Sequence, residues 1–371
     1  MNRVKLGELL RIKHGYAFKS ENYVTSSPYA LVTLANISSS NSFRFDQEKT
    51  TFYGASFPEE FILHTDDLIM PLTEQVIGLF GNSAFIPSMK GIQFVLNQRV
   101  GKVIPNERKA DKYYLHYLLS TEIVREQLEH RASGTKQRNI SPDDVYDVTV
   151  VVPELNVQRK IGKTLYCLEA KVNVNNAIND NLQQMAHMTF MHCFWGMPAN
   201  GTIGDILIEH EKSPIQVGQA KNAVGSYPFF TSGDAIMRWA SPLIDGRNIF
   251  MNTGGNAGVK FYVGKAAYST DTWCVSAKDG LSDYLYLFLD SIKPELSQKF
   301  FQGTGLKHLQ KPILKKRPIY IPSKDEVEVF NRSVIPWLSL VSDNIRESER
   351  LIALRDWLLP MLMNGQATIS N

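Results

Sequence analysis

The sequence predicts an α/β (α+β) protein: two similar lobes joined by two long antiparallel coiled-coil helices, with an internal pseudo-two-fold repeat. Three observations carry this. The two halves echo each other in order, each half opens with short strand-like runs, and each closes with a long apolar seam. Leu6-Gly7-Glu8-Leu9-Leu10 resembles Ile203-Gly204-Asp205-Ile206-Leu207, at an offset of 197 (203 − 6 = 197). Ser27-Pro28-Tyr29 is echoed loosely by Tyr227-Pro228-Phe229. Tyr113, Leu118 and Ser120 match Tyr284, Leu289 and Ser291 at an offset of 171 (284 − 113 = 171). Gly134-Thr135 matches Gly303-Thr304, and Val151-Val152-Pro153 matches Tyr320-Ile321-Pro322, both at 169 (303 − 134 = 169). Matches that keep their order while the offset drifts slowly mark a duplicated unit. The copies divide the chain into a first lobe, 1–153, a first long helix, 154–197, a second lobe, 198–322, and a second long helix, 323–371.

Composition agrees with two globular domains. The chain has 371 residues, 43% apolar and 21% charged, against ~150 residues for one domain. No run approaches the ~18 apolar residues of a membrane span, and Met1 to Glu8 lacks the apolar core of a signal peptide. Cys167, Cys193 and Cys274 contain no C-x-x-C pair, which argues against a disulfide framework or a zinc knuckle and makes the cytoplasm the expected compartment. A net charge of +3 permits a nucleic-acid partner without arguing for one.

In each front, β-branched and aromatic runs lie between Gly, Asn, Asp and Pro. These are Ala30 to Leu34 and Phe61 to Leu63 in copy one, and Asn248 to Met251 and Lys260 to Val263 in copy two. One helix is expected late in each front, over Tyr113 to His130 and Ser282 to Phe301. The long helices start after Pro153 and Pro322, where a residue that cannot donate a hydrogen bond costs nothing.

The seam of the first long helix is Ile161, Leu165, Leu168, Val172, Asn175, Leu182 and Met185. That of the second is Phe330, Val334, Trp337, Val341, Asn344, Leu351 and Leu354, every one at the offset of 169 (330 − 161 = 169). Spacings of three and four keep one face of a helix apolar and allow coiled-coil packing. Val172, Leu168, Val341 and Trp337 are therefore expected to be buried. Asn175 and Asn344, at equivalent positions on the apolar seam, are expected to act as a buried amide pair that fixes register and orientation.

Motifs that suggest chemistry are incomplete. Gly162-Lys163-Thr164 lacks the glycine five positions upstream that a phosphate loop needs, and it falls inside the seam helix. Gly254 to Gly258 sits between strand-like runs, where a turn or a contact with the DNA backbone fits better than a nucleotide. Ser27-Pro28-Tyr29 has one proline where the base-binding tetrapeptide of amino-methyltransferases has two. His14, His64, His116 and His130 are scattered. Asp66-Asp67 and Asp143-Asp144 read as caps and turns.

Basic charge is concentrated at equivalent places. Arg131 to Ile140 holds Arg131, Lys136 and Arg138 without an acid; Gly303 to Arg317 holds Lys307, Lys311, Lys315, Lys316 and Arg317 without an acid. Cations neutralise phosphates, while Arg, Gln and Asn read base edges. The expected DNA-binding residues are therefore Thr135, Lys136, Gln137, Arg138 and Asn139 in copy one, and Thr304, Lys307, His308 and Lys311 in copy two.

Taken in order, these are an opening Leu-Gly-Glu-Leu-Leu, a variable front, Gly-Thr with polar and basic residues, and Val-Val-Pro. A helix running from Gln158-Arg159-Lys160-Ile161 to Asn181-Leu182 follows, and the whole then repeats. In this the chain resembles the DNA-specificity (S) subunit of type I restriction–modification enzymes over nearly its whole length. Copy two departs from the pattern with Asp325-Glu326-Val327-Glu328 at its helix start and Gly305-Leu306 inside its Gly-Thr segment. The resemblance implies that each lobe is a target-recognition domain for one half of a bipartite, asymmetric double-stranded DNA site. It implies that the helices set the spacing and dock two methyltransferase (M) subunits, with restriction (R) subunits beyond them. The chain itself would be no enzyme and would hold neither cofactor nor metal; S-adenosylmethionine and ATP with Mg would sit on the partners. The residues alone leave two rivals, a protein-binding adaptor and a DNA methylase or nuclease with an unrecognised active site.

Overall fold

In the first half, Leu10–His14, Val100–Pro105, Leu68–Pro71 and Ala84–Phe85 lie side by side in that order, each pair antiparallel. In the second half, Leu207–Glu209, Thr272–Ala277, Arg247–Asn252 and Val259–Val263 do the same. Numbered along the chain, both sheets have the order 1-4-2-3. This computed structural model describes residues 2–221, 223–303 and 305–369. Two units are present: Met1–Ala170 with Leu351–Asn371, and Lys171–Arg350.

The likeness extends to the smaller elements. Asn2–Lys5 pairs with Thr149–Val152, and Gly201–Thr202 with Pro318–Ile319. A parallel pair, Tyr29–Val32 with Gln93–Leu96, has its counterpart in Tyr227–Phe230 with Ala267–Tyr268. The two proline echoes therefore mark one repeated strand. Phe61 to Leu63, expected as a strand, is a 3₁₀ turn ending at Phe61, with one bridge from Ile62 to Val95. The helix expected over Tyr113 to His130 is two, Lys112–Leu119 and Glu122–Arg131. Ser120 and Thr121 hydroxyls donate to the carbonyls of Tyr117 and Leu118 at 2.8 and 2.7 Å, competing with the backbone and stopping the helix. In copy two the helix ends at Ser291, and a short turn and a π-turn carry the chain to Phe300.

The long helices are Leu155–Phe194 and Lys324–Met363, 40 residues each, or ~60 Å. The core of the first unit takes Ile161 and Leu165 from the start of one and Leu362 and Met363 from the end of the other. The core of the second takes Phe330, Val334 and Leu338 from the start of one and Ala186, Phe190 and Phe194 from the end of the other. Within each unit the helices thus run antiparallel. Among the described residues no helix is long and apolar enough to cross a membrane.

The seam differs from the expected one by a single position, twice, at matched places. Leu168 and Trp337 are half-buried, while their neighbours Glu169 and Leu338 are buried. Met185 and Leu354 are exposed, while Ala186 is buried and the Arg355 side chain is only 18% exposed. Val341 is buried as expected, but Val172, Leu182 and Leu351 are half-buried. A helix at 3.6 residues per turn drifts ~20° per heptad from a strict 3.5 repeat. Spacings of three and four read forward therefore fall one position short. Trp337→Ala should accordingly cost less than the ~3–5 kcal/mol of a fully buried tryptophan, as chemical unfolding would measure.

Asn175 and Asn344 are both buried, but they do not pair with each other. Asn175 Nδ2 donates to Glu347 Oε2 at 2.7 Å and to Ser348 Oγ at 3.2 Å; Asn344 Nδ2 donates to Asn179 Oδ1 at 2.8 Å. Asn175 matches Asn344 and Asn179 matches Ser348 at the same offset (344 − 175 = 169; 348 − 179 = 169). The two layers are one arrangement made twice within the second unit. A one-residue slip would leave these amides buried without partners, which is how polar seam residues fix register.

Candidate nucleic-acid interface

The repeated Gly-Thr segments are loops, and each rests on a second loop. In the first unit Thr73–Glu74 pairs antiparallel with Arg138–Asn139, placing Glu74 opposite Arg138. Ile140 N donates to Leu72 O at 3.0 Å. The chain beyond Glu74 and the chain before Arg138 leave this pair at the same end. Residues 75–79 and 133–137 therefore form one ridge. In the second unit Leu309 N donates to Thr253 O at 3.0 Å, Gly255 N donates to Lys307 O at 2.9 Å, and Gly254 bridges His308. Ile140 and Leu309 stand at the same offset as the repeated glycines (309 − 140 = 169), so the same ridge is built twice.

Glycine is required at the repeated position. Gly134 has φ +106°, and a Cβ there would stand 2.1 Å from the Gln137 carbonyl oxygen; Gly303 has φ +150°, and a Cβ there would stand 2.7 Å from that of Leu306. Both loops double back too tightly for a side chain.

Thr135, Lys136 and Asn139 are exposed and Gln137 is half-exposed. Asn139 Oδ1 accepts from Thr73 Oγ1 at 2.9 Å, which orients its amide. Arg138, expected among the base readers, turns inward. Its Nη1 lies 3.1 Å from Glu74 Oε1, its Nη2 donates to Glu129 O at 3.0 Å, and its guanidinium stands 5.7 Å from the Phe80 ring centre. Glu74 is 1% exposed, and its Oε2 accepts from the backbone N–H groups of Leu79 and Phe80 at 2.9 and 3.2 Å. The pair is a clasp holding the two loops together.

In the second unit Lys307 and His308 are exposed on the ridge. Thr304 lies outside the described residues. Lys311 is half-buried, 3.4 Å from Glu209 and 4.8 Å from the Trp273 ring centre, and Lys315 also pairs with Glu209. Burial pushes the Glu209 carboxyl up, and the bond from Lys315 with the charge of Lys311 more than reverses it, leaving it below its ordinary range. Arg317 pairs with Glu295 at 2.8 Å. Of the five cations in this segment, Lys307 and Lys316 are the exposed ones.

Sequence reasoning missed the first partner loop, whereas it singled out the second, Gly254 to Gly258, as a turn or a contact with the DNA backbone. Val76 and Ile77 at the first tip are 78% and 73% exposed. The second tip, Gly254-Gly255-Asn256, is small and polar.

A family model described as the type I restriction modification DNA specificity domain matches residues 1–184 and 199–331. The MjaVIII type I restriction enzyme specificity subunit of Methanocaldococcus jannaschii is 24% identical over 186 residues, 49% of this chain and 42% of that protein. The HindI specificity subunit of Haemophilus influenzae is 33% identical over 86 residues, 23% and 19% of the two chains. The matched segments thus span less than half the length of these curated relatives. A crystal structure of a type I restriction–modification S subunit from M. genitalium superposes with a TM-score of 0.64 at 13% identity, covering 97% of this chain and 95% of that one, which is a likeness of fold. With its two matched segments covering most of the sequence, the chain belongs to the type I restriction–modification DNA specificity family.

Proposed function

We propose that this chain is the DNA-recognition subunit of a type I restriction–modification complex, acting in the cytoplasm on double-stranded DNA. Each lobe reads one half of a bipartite target. The observation that carries this reading is the ridge built twice on the same topology with different tips. Apolar Val76-Ile77 stands beside Lys136 in one copy, and Gly255-Asn256 beside Lys307 in the other. A common scaffold with unlike tips makes an asymmetric target.

Lys136 is exposed and serves as a phosphate contact. Lys136→Ala should weaken binding about equally on all sequences and lower the slope of log affinity against log salt by about 1. A salt titration of the full chain in its assembled complex checks this, and an unchanged slope would count against the ridge as a DNA surface.

The long helices also carry matched exposed apolar residues: Met185 and Met188 on the first, Leu354 and Trp357 on the second. The two pairs correspond at the offset of the repeat (354 − 185 = 169; 357 − 188 = 169). Two equivalent patches fit two copies of one partner, and the methyltransferase subunit is that partner in this reading. S-adenosylmethionine, ATP and Mg then belong to the methyltransferase and restriction subunits, and this chain carries no catalysis of its own. Trp357→Ala, at an exposed site, should alter stability by less than ~0.5 kcal/mol while reducing the bound methyltransferase from two copies to one. Adding Met188→Ala should remove the second copy. Native mass spectrometry of the mixture counts them, and two retained copies in the double variant would refute this docking site.

A further inference from the structure

We infer that Val76 and Ile77 are specificity-determining residues that read thymine C5-methyl groups in the major groove of the half-site bound by the first lobe. The inference rests on the DNA-reading function proposed above and assigns part of the readout to a segment outside the basic loop.

Val76 and Ile77 are 78% and 73% exposed, and among the described residues neither joins an apolar cluster. Two adjacent β-branched side chains gain nothing from such exposure in the free chain. They are also held ready. The loop leaves the strand at Glu74, whose carboxylate is tied to the N–H groups of Leu79 and Phe80 and to Arg138. Valine and isoleucine are stiff at χ1, so little freedom is lost on contact. The tip Gln75-Val76-Ile77-Gly78 carries no charge and gives phosphates nothing to pair with. The antiparallel pairing of Glu74 with Arg138 sets it beside Lys136 and Gln137, which supply the phosphate and base-edge contacts. A base edge in the major groove offers one apolar group, the thymine methyl, and small apolar side chains are its partners. At the equivalent place the second lobe has Gly254-Gly255-Asn256, so this readout belongs to one half-site.

The test uses the full chain with its methyltransferase subunit and a random-sequence duplex library. Wild type should select a two-part target with at least one A·T pair in one half. Val76→Ser/Ile77→Ser, which replaces the apolar surface with polar side chains, should lose preference at one or two such pairs in that half and keep the other half unchanged. Uracil in place of a contacted thymine removes only the methyl group. Wild type should then bind roughly fourfold more weakly, the value of one buried methyl, while the double variant should bind both duplexes alike. Val76→Ile/Ile77→Val, which keeps the branched apolar surface, should restore the discrimination. A half-site without A·T pairs, equal uracil sensitivity in wild type and double variant, or bright 2-aminopurine at the contacted step (a wedge between bases) would each overturn the inference while leaving DNA reading intact. Selection of no sequence by wild type would defeat the DNA-reading function itself and the inference with it.

Discussion

Arg138→Ala should destabilise the first lobe by ~3–5 kcal/mol, because it leaves a buried carboxylate without its counter-charge. Glu74 is 1% exposed and its ion pair with Arg138 spans 3.1 Å, so solvent cannot stand in for the guanidinium. The loss is also local in its consequence. Glu74 holds one loop of the ridge through Leu79 and Phe80, while Arg138 belongs to the other and is anchored on Glu129 O. Without the clasp the loops separate, and base discrimination in that half-site should fall before general affinity does. Arg138→Ala/Glu74→Gln should recover much of the stability, since an amide oxygen still accepts from the two N–H groups and carries no charge to bury. Urea unfolding of both variants, with duplex selection on each, checks this. An Arg138→Ala chain within ~1 kcal/mol of wild type and with unchanged selectivity would place Arg138 outside the ridge's support.

The second lobe shows why this clasp was hard to foresee. The position matching Arg138 is Lys307 (307 − 138 = 169), and there the loops are joined by the Gly255 N–H to the Lys307 carbonyl. The cation is left to solvent. In sequence both positions are a basic residue after Gly-Thr, and nothing local tells a clasp from a DNA contact. The difference lies far upstream of Arg138, in Glu74, and only folding brings them together.

Other features were legible for physical reasons. The repeat was visible because residues that shape backbone, such as Gly134 and Gly303, are fixed by close contacts in both copies. The long helices were visible because burying one face imposes a period. The exact face was not, because a 3.5 and a 3.6 period diverge slowly and Leu168 and Glu169 differ only in which side of the boundary they fall. The Val76-Ile77 tip was hidden because exposure of β-branched residues contradicts the ordinary reading of them as strand core. Arg247 was missed for the reason that hid Glu74: its partners, Asp283 and Ser339, are distant in sequence.

Arg247 ties three elements of the second unit together, and its removal should separate stability from spacing. Its Nε donates to Asp283 Oδ2 at 2.6 Å, its Nη2 pairs with Asp283 Oδ1, and its Nη1 donates to Ser339 Oγ at 2.8 Å. Asp283 lies on the helix Ser282–Ser291 and Ser339 on the second long helix, while Arg247 opens a central sheet strand. Burial already pushes the Asp283 carboxyl above its ordinary range, and Arg247 only partly offsets it. Arg247→Ala should therefore cost ~3–5 kcal/mol at neutral pH. The sign of the pH dependence follows from the raised carboxyl. Its neutral form is the one the folded chain tolerates, so the variant's deficit should be smallest in acid and grow as pH rises through the Asp283 pKa. Arg247→Ala/Asp283→Asn removes the buried charge and should restore most of the stability, yet it leaves the sheet without its tether to Ser339. If the long helices fix the distance between half-sites, this folded double variant should lose discrimination between targets whose spacer is longer or shorter by one base pair, while its affinity for an isolated half-site holds. Binding to such a set of duplexes decides it. An unchanged spacer preference in the double variant would show that the partner subunits, and not the attachment of this lobe to its helix, set the distance.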